Sequence, residues 1–122
     1  MKIERIDHLN LTVADIDCSV EFYQRVLGMK AERMGEGRAA LYFGRQKIHL
    51  DAAGGATAMG GEKRVPAHIC FITEAPVGEI LAHLKGCEVP VRMQGPRAGA
   101  TGTIQSVYID DPDQNSIEIS SY

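Results

Sequence analysis

The chain has no lysine- or arginine-rich block, no long apolar run and no paired cysteine spacing. Each absence removes a class of function. With net charge −3, a sequence pI near 5.8 and no basic cluster, neither nucleic acid nor an anionic membrane is favoured as a partner. A bilayer span would need about 18 consecutive apolar residues, and none occur. The opening Met1-Lys2-Ile3-Glu4-Arg5 lacks the apolar centre of a signal peptide. The cysteines are odd in number, Cys18, Cys70 and Cys87, which suits reduced thiols better than a disulfide framework and makes the cytoplasm the expected location. All three read as small buried core residues. Histidine is scarce too: His8, His49, His68 and His83 are the full set.

What is present is a pattern that runs twice. At 122 residues the chain is expected to form one domain with a sizeable core. Residues 5–13 alternate, Leu9, Leu11 and Val13 on one face, His8, Asn10 and Thr12 on the other, as in a half-buried strand. A helix follows. Asp15 is its N-cap, Asp17 lies in its first turn, Ile16, Val20, Tyr23 and Leu27 form the apolar stripe, and Gly28 takes the left-handed position after it. Three strands are expected at 30–35, 38–43 and 46–51, the last placing Ile48 and Leu50 on one face and His49 on the other. Residues 52–66, rich in glycine and alanine, read as a linker.

The order then restarts at Ala67-His68-Ile69-Cys70-Phe71-Ile72. Pro76 suits the first turn of a second helix, Val77, Ile80, Leu81 and Leu84 form its stripe, and Gly86 is placed to end it. Strands are expected at 88–93, 103–109 and 115–121, with Gln94 to Gly102 as a glycine-rich loop. Asp111-Pro112-Asp113-Gln114-Asn115 reads as a tight turn, after which Ile117 and Ile119 face one way and Glu118 the other. The expected fold is α+β: two paired βαβββ modules, about 1–52 and 66–122, forming a curved mixed sheet with helices on its outer face. Neither half is long enough to bury both faces of its own sheet.

Superimposing the first strands places His68 on His8 at an offset of 60; superimposing the last strands places Glu118 on His49 at an offset of 69. The four side chains share the face away from the helices. Three imidazoles and a carboxylate in a partly dry concavity are ligands for a divalent first-row metal such as Zn, Ni, Fe, Mn or Co, with positions left for water and substrate. His83 falls on the exposed side of the second helix and receives no role.

Ile6-Asp7-His8-Leu9-Asn10-Leu11-Thr12-Val13, Phe22-Tyr23 through Leu27-Gly28-Met29, and Asp111 through Glu118 resemble the vicinal oxygen chelate superfamily. That superfamily includes glyoxalase I, fosfomycin-resistance proteins, extradiol dioxygenases and bleomycin-resistance proteins. Arg97 through Gly102, Ser106-Val107-Tyr108 and Ser120-Ser121-Tyr122 look most like its short glyoxalase-domain-containing members. The resemblance implies a single vicinal oxygen chelate domain over residues 1–122 and a metal that chelates neighbouring substrate oxygens. His8, His68 and Glu118 match its three-ligand set, and His49 completes a four-position set in which glyoxalase I ordinarily carries Glu. His49 departs from that pattern and could ligate, shuttle a proton or line the cavity.

The resemblance further implies a homodimer, with a small-molecule site formed across the interface. The expected activity is that of a glyoxalase-like lyase or isomerase, with Glu118 and His49 as catalytic candidates and Arg97 and Tyr108 as substrate-binding candidates. Two alternatives stand beside it: a ring-cleaving non-haem iron dioxygenase, and a metal-free sequestering protein of the bleomycin-resistance kind, which would not need the histidines.

Overall fold

The computed structural model describes residues 1–54 and 65–122. Most of the expected linker, residues 55–64, lies outside the described residues. The chain divides into two compact units, Met1–Val65 and Pro66–Tyr122.

The first unit contains β1 (His8–Val13), α1 (Ile16–Leu27), β2 (Lys30–Arg33), β3 (Arg38–Phe43) and β4 (Gln46–Ala52). Its strands form a mixed sheet of order β1-β4-β3-β2, with β1 parallel to β4. The second unit contains β5 (His68–Ile72), α2 (Val77–Gly86), β6 (Met93–Gly99), β7 (Gly102–Asp110) and β8 (Ser116–Ser121). Its sheet has the same plan, β5-β8-β7-β6, with β5 parallel to β8. The two βαβββ modules expected from the sequence are therefore present, each with its own four-stranded mixed sheet.

The helix positions follow from local chemistry. Asp15 accepts the backbone N–H of Cys18 and caps α1, and Gly28 ends it at φ 64, a left-handed conformation open to glycine without steric penalty. Ile16, Val20, Phe22, Tyr23 and Val26 are buried along α1, which packs on β2, β3 and β4. Leu41, Ile48 and Leu50 of the sheet complete that core. In the second unit Ile80 and Leu84 of α2 pack toward β7 and β8, where Val107, Ile109 and Ile117 are fully buried. Fully burying a side chain of this kind contributes about 1.5–3 kcal/mol, so these interior faces set the orientation of each sheet.

Five expectations are corrected. The first strand begins at His8, not at residue 5. Pro76 stands at the N-cap of α2 with φ −66 and ψ 154, just outside the first turn. Gly86 is still helical; Cys87 is the C-cap, and Glu88, not a glycine, takes the left-handed backbone at φ 57. No strand occupies 88–92. The strand is β6, running through Met93–Gly99 within the expected glycine-rich loop. It is the edge strand, where a proline such as Pro96 is tolerated because its missing N–H can face away from the sheet. Finally, Cys18 and Cys70 are exposed rather than core residues.

Candidate functional site

In the first unit the register sets Asn10 opposite His49 and His8 two residues before Asn10 on the same face. The rings of His8 and His49 meet edge to face, their centroids 5.3 Å apart. His8 Nδ1 lies 2.8 Å from Asp7 Oδ1. A carboxylate only accepts, so Nδ1 carries a proton and Nε2 is the ring nitrogen turned to other partners. A carboxylate holding the far nitrogen of a ligating histidine is the usual orienting arrangement at metal sites.

His49 is only 6% exposed, and among the described residues its Nδ1 has no hydrogen-bond partner. Its pKa is lowered, first by burial and then by the positive charges of Arg38 and Lys47 and by His8, against a smaller opposing effect of Asp51. The ring is therefore neutral near pH 7, the form a metal ligand needs.

The second unit repeats the register with different chemistry: Cys70 lies opposite Glu118, and His68 stands two residues before it. His68 Nε2 is 3.0 Å from Glu118 Oε2. Ser106 Oγ donates to Glu118 Oε1 at 2.5 Å, and Ser120 Oγ lies 2.8 Å from Ser106 Oγ. Burial is the largest single influence on Glu118 and opposes its ionisation. Hydrogen bonds from Ser106, Tyr108 and His68 together outweigh it, and the pKa is lowered. Glu118 is thus a buried carboxylate held in its charged form.

These groups open into a pocket of about 470 Å³ whose lining includes His68, Cys70, Arg97, Tyr108, Glu118 and Tyr122. Arg97 lies over the Tyr108 ring at 5.3 Å and donates from Nε to Tyr108 Oη at 3.2 Å. It also donates to Pro96 O and contacts Met93 Sδ, so its hydrogen-bond partners among the described residues are all uncharged. Arg92, by contrast, is 3.3 Å from the Asp110 carboxylate. Gly99 is required beside the pocket: a Cβ there would lie 2.8 Å from Tyr122 Oη and 2.9 Å from the backbone oxygen of Gly102.

The turn before β8 holds this half of the site in place. Asp111 accepts the backbone N–H groups of Asp113 and Asn115, and Asn115 Oδ1 accepts the N–H of Ala67 at 2.7 Å. Ser116 N then bonds Ala67 O at 2.8 Å, which fixes β5, and with it His68, alongside β8. Gln114 is driven to φ 65 to close the turn.

The structure therefore brings the predicted ligands together as two pairs, His8 with His49 and His68 with Glu118. Within neither unit do the described residues gather three metal-ligating side chains. Arg97 and Tyr108 join the second pair, while His83 is exposed on α2, with its Nε2 3.6 Å from Cys87 Sγ. Tyr42 is partly exposed in the first unit. Sequence reasoning missed Asp7, whose adjacency to His8 was a signal, and Ser106 and Ser120, which looked like ordinary polar strand residues.

The donor chemistry fits a divalent cation. His49 Nδ1 is a buried ring nitrogen with no hydrogen-bond partner among the described residues, and His68 and Glu118 share a proton where they would share a cation.

A model of the Glyoxalase/Bleomycin resistance protein/Dioxygenase superfamily matches residues 5–119. The chain belongs to this superfamily. It is similar to virulence protein STM3117 of Salmonella typhimurium, at 43% identity over 100% of this chain and 87% of the relative. The crystal structure of that protein superposes with TM-score 0.92 at 42% identity, covering 100% of this chain and 99% of the other. An integron cassette protein from V. cholerae, VCH_CASS1, matches with TM-score 0.91 and 43% identity over 100% and 98% of the two chains. The glyoxalase domain-containing protein RDO1 of Mycosarcoma maydis is 38% identical over 100% of this chain and 70% of its own length. No helix among the described residues is long and apolar enough to cross a membrane.

Proposed function

We propose that the protein is a metal-dependent, glyoxalase-like lyase or isomerase acting on a small substrate with neighbouring oxygens. The observation that carries this reading is Glu118: a carboxylate 6% exposed, kept charged beside His68 at the wall of a pocket. Ser106, Tyr108 and His68 hold the carboxylate in its charged form, the form a ligand needs, and a divalent ion would take the place of the proton between His68 and Oε2. His8, His49, His68 and Glu118 would hold the ion, one pair from each module. When bound, the metal supplies Lewis-acid polarisation of a substrate oxygen next to the reacting carbon.

The protein side chains do the rest. Asp7 orients His8. The one lone pair of neutral His49 would go to the ion while it ligates; on release from the ion the ring would accept or return a proton near pH 7. Glu118 is the weaker base because three donors favour its ionised form, so its role is charge compensation first and proton transfer second. Arg97, stacked on Tyr108 with only uncharged partners, receives an anionic group of the substrate.

The ligand set requires a pair from each module, so we also propose a homodimer in which the modules of one chain complete sites with those of its partner. Metal analysis of purified wild type, His8→Ala and Glu118→Ala tests the centre. Loss of metal in both variants is expected, and unchanged content in both removes the proposal. Mixing the two variants tests the sharing. Restored metal binding in the mixture supports sites built from two chains; none restored places each site within one chain.

A further inference from the structure

Glu118 Oε1 is the acceptor on which two buried hydroxyls converge. Ser106 has one proton and gives it to Glu118 Oε1 at 2.5 Å. With that proton given, Ser120 is the donor of its own pair of contacts, to Ser106 Oγ at 2.8 Å and to Glu118 Oε1 at 3.4 Å. With that proton committed, Ser120 accepts from the thiol of Cys70, whose Sγ is 3.5 Å away. Counting protons, Ser106 and Ser120 both point their hydroxyls toward Glu118 Oε1, Ser106 at 2.5 Å and Ser120 at 3.4 Å or through Ser106. Ser106 and Ser120 are 1% and 0% exposed, so water does not compete for either hydroxyl.

The corresponding places in module one hold a different device. Strand register equates Ser106 with Arg38, Ser120 with Asp51 and Cys70 with Asn10. There Asn10 Nδ2 donates to Asp51 and Arg38 sits 3.0 Å from Asp51, while His49 Nδ1 is left without a partner among the described residues. One module spends these positions on an ion pair; the other aims them at the carboxylate.

We propose that Ser106, supported by Ser120, is a positioning residue that occupies Oε1 of Glu118 so that the carboxylate offers the pocket only Oε2, beside His68. This rests on the reading of Glu118 as a metal ligand. A carboxylate with both oxygens free can bind a cation through two atoms; one with Oε1 already bonded binds through one, at a defined angle. The two serines would therefore set the coordination number of the ion and keep positions open for the substrate's two oxygens.

The test uses Co²⁺ titration of the purified full chain, read by visible absorption, with affinity from competition against a chromogenic chelator. Ser106→Ala is expected to weaken the bands, because coordination through the freed second oxygen raises the coordination number, and to change Co²⁺ affinity by about 10–100-fold. Ser120→Ala should move both readouts in the same direction by less. Ser106→Cys, close in size and a weaker donor, should fall between wild type and alanine, and it carries the test if the alanine variant does not fold. Wild-type spectra and affinity in Ser106→Cys and Ser120→Ala overturn this proposal while leaving the metal centre intact. Failure of the wild type to bind Co²⁺ overturns the metal reading itself.

Discussion

The two modules share one topology and one strand register yet treat the same lattice positions in opposite ways. Module one sets the partly exposed Arg38 against the buried Asp51 and leaves His49 Nδ1 unbonded among the described residues. The Arg38 Nε and Asp51 Oδ1 atoms are 3.0 Å apart but do not align as a hydrogen bond, so the contact is coulombic. Module two buries hydroxyls and directs them, with Tyr108 and His68, at Glu118. Duplication supplies one register twice; divergence at equivalent positions decides which half presents neutral nitrogen and which presents a hydrogen-bonded negative charge.

The largest expected difference between the modules lies at Asp51 and Ser120. Asp51→Ala strands Arg38 and removes the acceptor of Asn10, and should lower stability by about 3 kcal/mol, near the lower end for breaking a buried pair because Arg38 is partly exposed. Ser120→Ala removes one neutral hydroxyl and should cost about 1 kcal/mol. Denaturant unfolding of both variants checks the ratio, and equal losses would erase the distinction.

The helix ends should give opposite signs. Gly28→Ala places a side chain at φ 64 and should destabilise by about 1 kcal/mol. Glu88→Gly relieves φ 57 and should stabilise by less than about 1 kcal/mol, since the unfolded chain also gains freedom. Thermal unfolding of the pair reads both.

The smallest effect is in pH. The folded pKa of His49 lies below 6.5, so below that pH the unfolded chain binds a proton that the folded chain resists. Stability therefore falls as pH drops below about 6.5 until His49 protonates in the folded state. The folded pKa of Glu118 lies below 4.5, so its contribution is complete above that pH and is lost only as pH falls further, through the folded value. Stability measured against pH should show an upper step that His49→Gln removes and a lower one that it leaves. A single step unaffected by His49→Gln would contradict this assignment.

The duplicated order was legible because alternation and helical stripes recur, and the ladders preserve the offsets that aligned His8 with His68 and His49 with Glu118. Edge strand β6 was not legible. Gly95, Pro96 and Gly99 carry no strand signal of their own, and pairing with β7 overrides their local preference. The end of α2 was misread because glycine is the usual left-handed residue, whereas here Gly86 stays helical and Glu88 makes the turn. Ser106 and Ser120 could not be read as partners of Glu118 before the register of β7 on β8 was known, since alternating serines in a strand also describe a wet face.

The central claim is that one cation draws ligands from both modules. Metal content of wild type, His49→Ala and Glu118→Ala, measured on the same folded preparations, tests it most directly. A stoichiometric ion per chain is expected in the wild type, with a marked loss in each variant, one from either module. Retention of the full complement by both variants would contradict it.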